Sequence, residues 1–142
     1  MKDNKAILTS ILKTSQMGQV GIHSVLDSAM GPGLRKALEA QLHEYDAIEN
    51  DAFSIASQRG WELSELDPGA RFLADRMTRL KLLGKSTDSR IADMMIQGNT
   101  QGMIKGLRDL HRFSGSDVQI NALSQKLLDC ETAGIRQMQS YL

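Results

Sequence analysis

The sequence predicts an all-α fold in which long amphipathic helices pack as an antiparallel bundle. Its 142 residues include only two prolines and three phenylalanines, beside eight methionines and many Leu, Ala, Gln, Lys and Arg. This composition favours helix over strand. Apolar residues recur at intervals of three and four along the chain, as on one face of a helix. A chain of this length is expected to build one core, so residues 1–142 are predicted to form a single domain.

The first 60 residues predict two long helices. Asp3 or Asn4 can cap the first helix, Gly31-Pro32-Gly33 separates it from the second, and the second ends near Gly60. A three-residue break between helices of similar length predicts an antiparallel hairpin. The apolar stripes are Leu8, Ile11, Ile22, Val25, Leu26 and Ala29 in the first helix, and Leu34, Leu38, Tyr45, Ile48, Ala52 and Ile55 in the second.

A shorter third helix follows a connector at residues 61–67. Asp67 is its predicted cap, Pro68 lies in its first turn, and Gly84 closes it. Its large apolar residues are Phe72, Leu73, Met77, Leu80 and Leu83.

Two more long helices complete the chain. Ser86 or Thr87 can cap the fourth helix, which ends at Ser114-Gly115-Ser116, and Asp117 can cap the fifth. The apolar stripes are Ile91, Met94, Met95, Leu107, Leu110 and Phe113 in the fourth helix, and Ile120, Leu123, Leu127, Cys130, Gly134, Met138 and Tyr141 in the fifth.

Four long helices with a short one in mid-chain fit two hairpins joined by a crossover that carries the short helix. An antiparallel four-helix bundle with an extra short crossover helix has ferritin-like topology. A five-helix array without a crossover also fits the periodicity.

Charge and cysteine content exclude several classes of partner and site. Lys plus Arg and Asp plus Glu both number 17, so the chain lacks the positive charge that nucleic-acid binding requires. No window approaches the run of about 20 apolar residues that spans a bilayer. Cys130 is the only cysteine and cannot form an intramolecular disulfide. A cytoplasmic location is therefore expected.

No residue pattern in the sequence predicts a catalytic, cofactor or metal site. Di-metal sites in helical bundles use Glu-x-x-His pairs, which this chain lacks. Glu39 and His43 share a helix face, but that face lies opposite the apolar stripe, so a solvated position is the favoured interpretation. Glu131 can point inward, where a hydrogen-bonded polar core group is favoured over a metal ligand. Cys130 lies on the apolar stripe and is interpreted as a structural thiol.

Gly98, Gly102 and Gly106 form the most unusual pattern, because each glycine in a helix interior costs about 1 kcal/mol relative to alanine. Gly18 and Gly21 lie at a comparable depth in the first helix, so the two glycine zones are predicted to meet. Close helix contact is the favoured interpretation. A self-association surface and a small-ligand cleft are the alternatives.

Gly33-Leu34-Arg35-Lys36-Ala37-Leu38, followed by Arg59-Gly60-Trp61 at the end of the same helix, resembles the second helix of the bacterial spore coat protein F family. A helix carrying Gln97-Gly98-Asn99-Thr100 and a last helix carrying Glu131 extend the resemblance over most of the chain. The resemblance implies a ferritin-like fold and a coat or sporulation association. A related ferritin-like group has acidic residues where this chain reads Gly98-Asn99-Thr100-Gln101, which implies that this chain has lost any ancestral di-metal site.

The sequence thus predicts a non-catalytic ferritin-like bundle, cytoplasmic or spore-associated, that acts through contacts with a second copy of itself or with another protein. The alternative is a metal-binding or oxidase-like bundle that uses Glu39, His43 and Glu131. A third hypothesis is a small-ligand binder, which a pocket between the first and fourth helices would favour.

Overall fold

Five α-helices make up the structure, a computed structural model that describes residues 4–84, 87–112 and 117–142. The helices are α1 (Asn4–Leu26), α2 (Pro32–Gln58), α3 (Pro68–Leu82), α4 (Asp88–Arg112) and α5 (Val118–Gln139). The all-α prediction is confirmed. The predicted roles of Asp3, Ser86, Phe113 and residues 114–116 lie outside the described residues.

The predicted helix boundaries are built from local hydrogen bonds. The side chains of Asp67, Thr87 and Asp117 each accept a hydrogen bond, at 3.0 to 3.1 Å, from the backbone amide three residues further on. Each bond satisfies an amide that has no partner within its helix. Gly60 and Gly84 follow α2 and α3 with φ values of 67° and 77°, a left-handed conformation that glycine adopts without strain.

Helices α1 and α2 pack against each other, as do α4 and α5, and the two pairs meet where α2 contacts α5 and α1 contacts α4. Residues further along α2 contact residues earlier in α5: Tyr45 contacts Glu131, Asp51 contacts Lys126, and Arg59 contacts Asp117. These two helices are therefore antiparallel.

The core lies among the four long helices. Every residue of the predicted α2 stripe is buried, as are most residues of the stripes of α1 and α5. The residues that are less than 2% exposed include Leu8, Leu12, Ile22, Leu34, Leu38, Ile48, Ile91, Ile120 and Met138. Burial of this apolar surface is the main term that favours the fold.

Helix α3 packs on α1 through its polar side, whereas an ordinary amphipathic helix packs through its apolar side. Its inner side carries small and polar residues, and Ser24 Oγ on α1 donates a 2.6 Å hydrogen bond to Asp75. Leu82 is the only buried residue of this helix. The other large apolar side chains of α3 point away from α1 and are exposed.

We expect Asp117→Ala to lower the free energy of unfolding by about 1 to 2 kcal/mol, because it removes the cap of α5. The same change removes the partner of Arg59. Asp51→Ala is the matched control: its ion pair with Lys126 is about half exposed, so its loss is expected to cost less than about 0.5 kcal/mol. Urea unfolding measures both variants, and equal losses would contradict this assignment.

Candidate functional site

A cleft of about 710 Å³ lies between α1 and α4. Its walls come from one face of each of these helices, and Leu66, Ala74 and Thr78 from the α3 region close one side. Tyr45 of α2 and Glu131 of α5 form its base. We call this space the cleft. Its volume is in the range of sites that bind small molecules.

At the base of the cleft, Tyr45 and Glu131 form a buried hydrogen bond. The Tyr45 hydroxyl donates to Glu131 Oε1 at 2.9 Å, and the two residues are each 2% exposed. Burial raises the pKa of Glu131 to about 7, although the bond from Tyr45 acts in the other direction. Burial and the adjacent carboxyl group also raise the pKa of Tyr45 well above its usual range. Tyr45 is therefore a permanent donor.

The second oxygen of the same carboxyl group has a different environment. Glu131 Oε2 is buried and has no hydrogen-bond partner among the residues that the structure describes. A buried acceptor without a partner costs about 1 to 3 kcal/mol. When Glu131 is ionised, this atom is therefore the point in the cleft at which a ligand with an N–H or O–H group would gain most.

Amide side chains extend this polar region between α2, α4 and α5. Asn99 Nδ2 donates long hydrogen bonds to the Glu131 backbone carbonyl, at 3.4 Å, and to Gln41 Oε1, at 3.5 Å. Gly134 leaves the space that Asn99 occupies, since a Cβ atom at Gly134 would overlap the Asn99 amide. The base of the cleft, which includes Tyr45, Asn99 and Glu131, thus continues into a buried polar layer that also contains Gln41.

Three of the five glycines predicted as a contact or interface site lie against side chains of other helices. A Cβ atom would lie 2.6 Å from the Tyr45 ring at Gly18, 2.7 Å from Glu131 Oε1 at Gly102, and 2.9 Å from Leu128 at Gly106. Gly18 and Gly102 therefore make room for the two side chains at the base of the cleft.

The other two glycines, Gly21 and Gly98, line the cleft, and a Cβ atom at either would have no neighbour within 4 Å. The two glycine zones thus border one cavity. A self-association surface at these glycines stays a prediction.

The two ends of the cleft differ in charge. Val25, Met94 and Met95 line one end. Lys13, Arg108 and Arg112 line the other end, beside a buried 2.6 Å hydrogen bond from Ser10 to Asp109. An elongated ligand in the cleft would therefore meet an apolar end, a polar middle and a predominantly cationic end.

The structure does not bring the alternative metal-ligand set together. Glu39 and His43 are exposed on α2, whereas Glu131 is buried. No group of three or more His, Cys, Asp or Glu side chains in the described ranges has a geometry that could hold a metal ion. Cys130 is half-buried, and burial raises the pKa of its thiol to about 12, so the thiol stays protonated at neutral pH.

The sequence predicts that Glu131 can point inward, but it does not predict the partners of Glu131. Tyr45 lies in the predicted apolar stripe of α2, where its hydroxyl indicates that a buried polar partner is needed. Gln41 follows Leu38 by three residues and Asn99 follows Met95 by four, which is the period of the buried stripes and the signal that could have found them.

No protein-family model, no curated protein and no solved structure matches this chain.

We expect Gly18→Ala to lower the free energy of unfolding by about 1 to 3 kcal/mol, because the added methyl group overlaps a ring that is held by its hydroxyl. Gly21→Ala lies three residues away on the same helix, and its added methyl group has no neighbour. We expect this variant to raise the free energy of unfolding by up to about 1 kcal/mol, because alanine is the better helix former. Urea unfolding of both variants tests this assignment. A stabilised Gly18→Ala would show that the Tyr45 ring is not fixed.

We expect the stability of the protein, relative to Glu131→Gln, to fall as pH rises from about 4.5 to about 7. The folded protein binds a proton at Glu131 more tightly than the unfolded chain, so raising the pH through this window removes stability. One pKa unit is worth about 1.4 kcal/mol, so the total loss is about 3 kcal/mol. Urea unfolding at several pH values measures this loss. Subtracting the free energy of unfolding of Glu131→Gln removes the contributions of all other titrating groups. A difference that is independent of pH would contradict the raised pKa of Glu131.

Proposed function

We propose that this protein is a non-catalytic helical protein that binds a small, elongated molecule in the cleft. The observation that carries the proposal is Glu131 Oε2, a buried acceptor without a partner among the described residues, at the base of a 710 Å³ space. Buried polar groups without a hydrogen-bond partner are rare in folded proteins, and a bound ligand that supplies the missing hydrogen bond explains this one.

The length and width of the cleft restrict the shape of the ligand. From Lys13 to Val25 the α1 wall is about 18 Å long, at 1.5 Å per residue. Gly21 and Gly98 leave the walls without side chains where the two helices face each other. A flat or chain-like molecule fits this space better than a globular one.

The lining of the cleft restricts the chemistry of the ligand. Apolar contacts at Val25, Met94 and Met95 favour a hydrocarbon or aromatic part. Glu131 favours an N–H or O–H group in the middle, and the cations Lys13 and Arg108 favour an acidic group at the far end. We therefore propose an amphipathic organic acid with a central hydrogen-bond donor.

The two candidate nucleophiles beside Glu131, Tyr45 and Cys130, are not activated, which supports a binding function over a catalytic one that uses them. The pKa values of Cys130 and Tyr45 are raised, which is opposite to the change that activates a thiol or phenol as a nucleophile.

We further propose that the four long helices form an antiparallel four-helix bundle, with α3 in a ferritin-like crossover. The antiparallel contacts of α2 with α5 support it, as do the packing of α1 on α2 and of α4 on α5. Action through protein contacts, homodimer formation and a cytoplasmic or spore-coat setting remain part of the proposal on the strength of the sequence resemblance.

Anilinonaphthalene sulfonate tests the proposed site, since it combines aromatic rings, one N–H group and one acidic group. We expect it to bind saturably at one site. Gly98→Leu is expected to weaken binding at least about tenfold, equivalent to about 1.4 kcal/mol, because the leucine side chain enters the cleft. The melting temperature should stay the same or rise, since leucine is the better helix former.

Gln97→Leu is the matched control, because it adds the same side chain one position away, at an exposed residue that does not line the cleft. Binding to this variant should equal that of the unsubstituted protein. Fluorescence titration measures all three proteins. Equal affinity of Gly98→Leu and Gln97→Leu would refute binding in the cleft.

A further inference from the structure

Five large apolar side chains are exposed along one side of α3. Phe72, Leu73, Met77, Leu80 and Leu83 are between 51% and 72% exposed. Four of them lie within the 15-residue helix and Leu83 directly follows it. At 100° per residue they fall within an arc of about 140°. We call this surface the outer face of α3.

The outer face has no partner within the described chain because the opposite side of α3 is the one that packs. Helix α3 contacts α1, and Asp75 accepts the hydrogen bond of Ser24 on α1. Leu82, on the same inner side, is buried. Turning the apolar side inward would break this hydrogen bond, so the outward orientation is built into the contact between α1 and α3.

Cations accompany the apolar side chains. Arg76, Arg79 and Lys81 are exposed on α3, and the Arg76 guanidinium lies 5.4 Å from the centroid of the Phe72 ring. Asp75 is the only acidic residue of the helix, and Arg79 and Ser24 hydrogen-bond to it. The exposed side of α3 is therefore both apolar and positively charged.

The positive charge of the outer face of α3 restricts which partner can cover it. A second copy docked through the same face would bring two sets of cations together, which disfavours a symmetric dimer. The face is also a single convex helix rather than a groove. A basic helix with Phe and Leu on its exposed side has the properties of helices that lie in the interface of an anionic membrane.

We infer that the outer face of α3 docks this protein onto an anionic lipid surface, with Leu73, Leu80 and their neighbours in the acyl boundary and Arg76, Arg79 and Lys81 among the headgroups. No helix in the described part of the chain is long and apolar enough to cross a membrane, so the contact is peripheral.

Vesicle flotation with the full chain tests the inference. We expect binding to vesicles of phosphatidylglycerol and phosphatidylcholine in equal parts, and none to vesicles of phosphatidylcholine alone. Each cation removed, as in Arg76→Gln or Lys81→Gln, is expected to lower the partition coefficient about fivefold. The double variant Leu73→Ser/Leu80→Ser should lose binding, while its melting temperature falls only slightly, because both side chains are exposed and serine is the weaker helix former.

Val118→Ser is the matched control, since Val118 is an apolar residue of α5 that is 81% exposed. It should bind as the unsubstituted protein does. Absence of binding to the anionic vesicles would overturn the inference, as would equal binding to both vesicle types. Concentration-dependent dimerisation that Leu73→Ser/Leu80→Ser abolishes, without vesicle binding, would assign the face to a second copy and also overturn it.

Discussion

The hydrogen bond from Tyr45 to Glu131 is the interaction on which the rest of the site depends. It joins α2 to α5 in the interior, where a carboxyl group is costly unless it is neutral or has partners. The bond satisfies one carboxyl oxygen and leaves the other in the cleft. This hydrogen bond also explains two of the helix glycines, because Gly18 accommodates the ring of Tyr45 and Gly102 accommodates the carboxyl group of Glu131. Helix propensity is lost at both glycines because these two side chains need the space.

Helix α3 links the two surfaces to which functions are proposed. Its inner residues Ala74 and Thr78 line the cleft, and its outer face is apolar and cationic. The side chain of Gln16 on α1 anchors the preceding connector through hydrogen bonds to Glu65 and to the backbone amide of Leu66. A membrane surface at the outer face would therefore lie one helix away from a ligand in the cleft. The two proposals rest on separate observations, and either can hold alone.

The sequence was sufficient to predict features that depend on local pattern. The buried stripe of α2 follows from its period, and the caps Asp67 and Asp117 follow from residue type at a helix start. Features that depend on distant residues were not predictable. Tyr45 and Glu131 are 86 residues apart, and nothing near either one identifies the other. Gly98, Gly102 and Gly106 share one spacing but face open space, a carboxyl group and a leucine. The orientation of α3 depends on its contacts with α1, among them the hydrogen bond from Ser24 to Asp75, and on the burial of Leu82, whereas its own pattern is that of an ordinary amphipathic helix.

The most direct test of the account is an NMR titration of the Glu131 side-chain carboxyl carbon in the folded protein. We expect a midpoint near pH 7, because burial disfavours the charged form and Glu131 Oε2 has no hydrogen-bond partner among the described residues. In Tyr45→Phe the midpoint should rise further, since the hydrogen bond from Tyr45 favours the charged form. A midpoint at the ordinary value for a glutamate, unaffected by Tyr45→Phe, would contradict it. The carboxyl group would then be solvated, and the cleft would have no buried acceptor for a ligand.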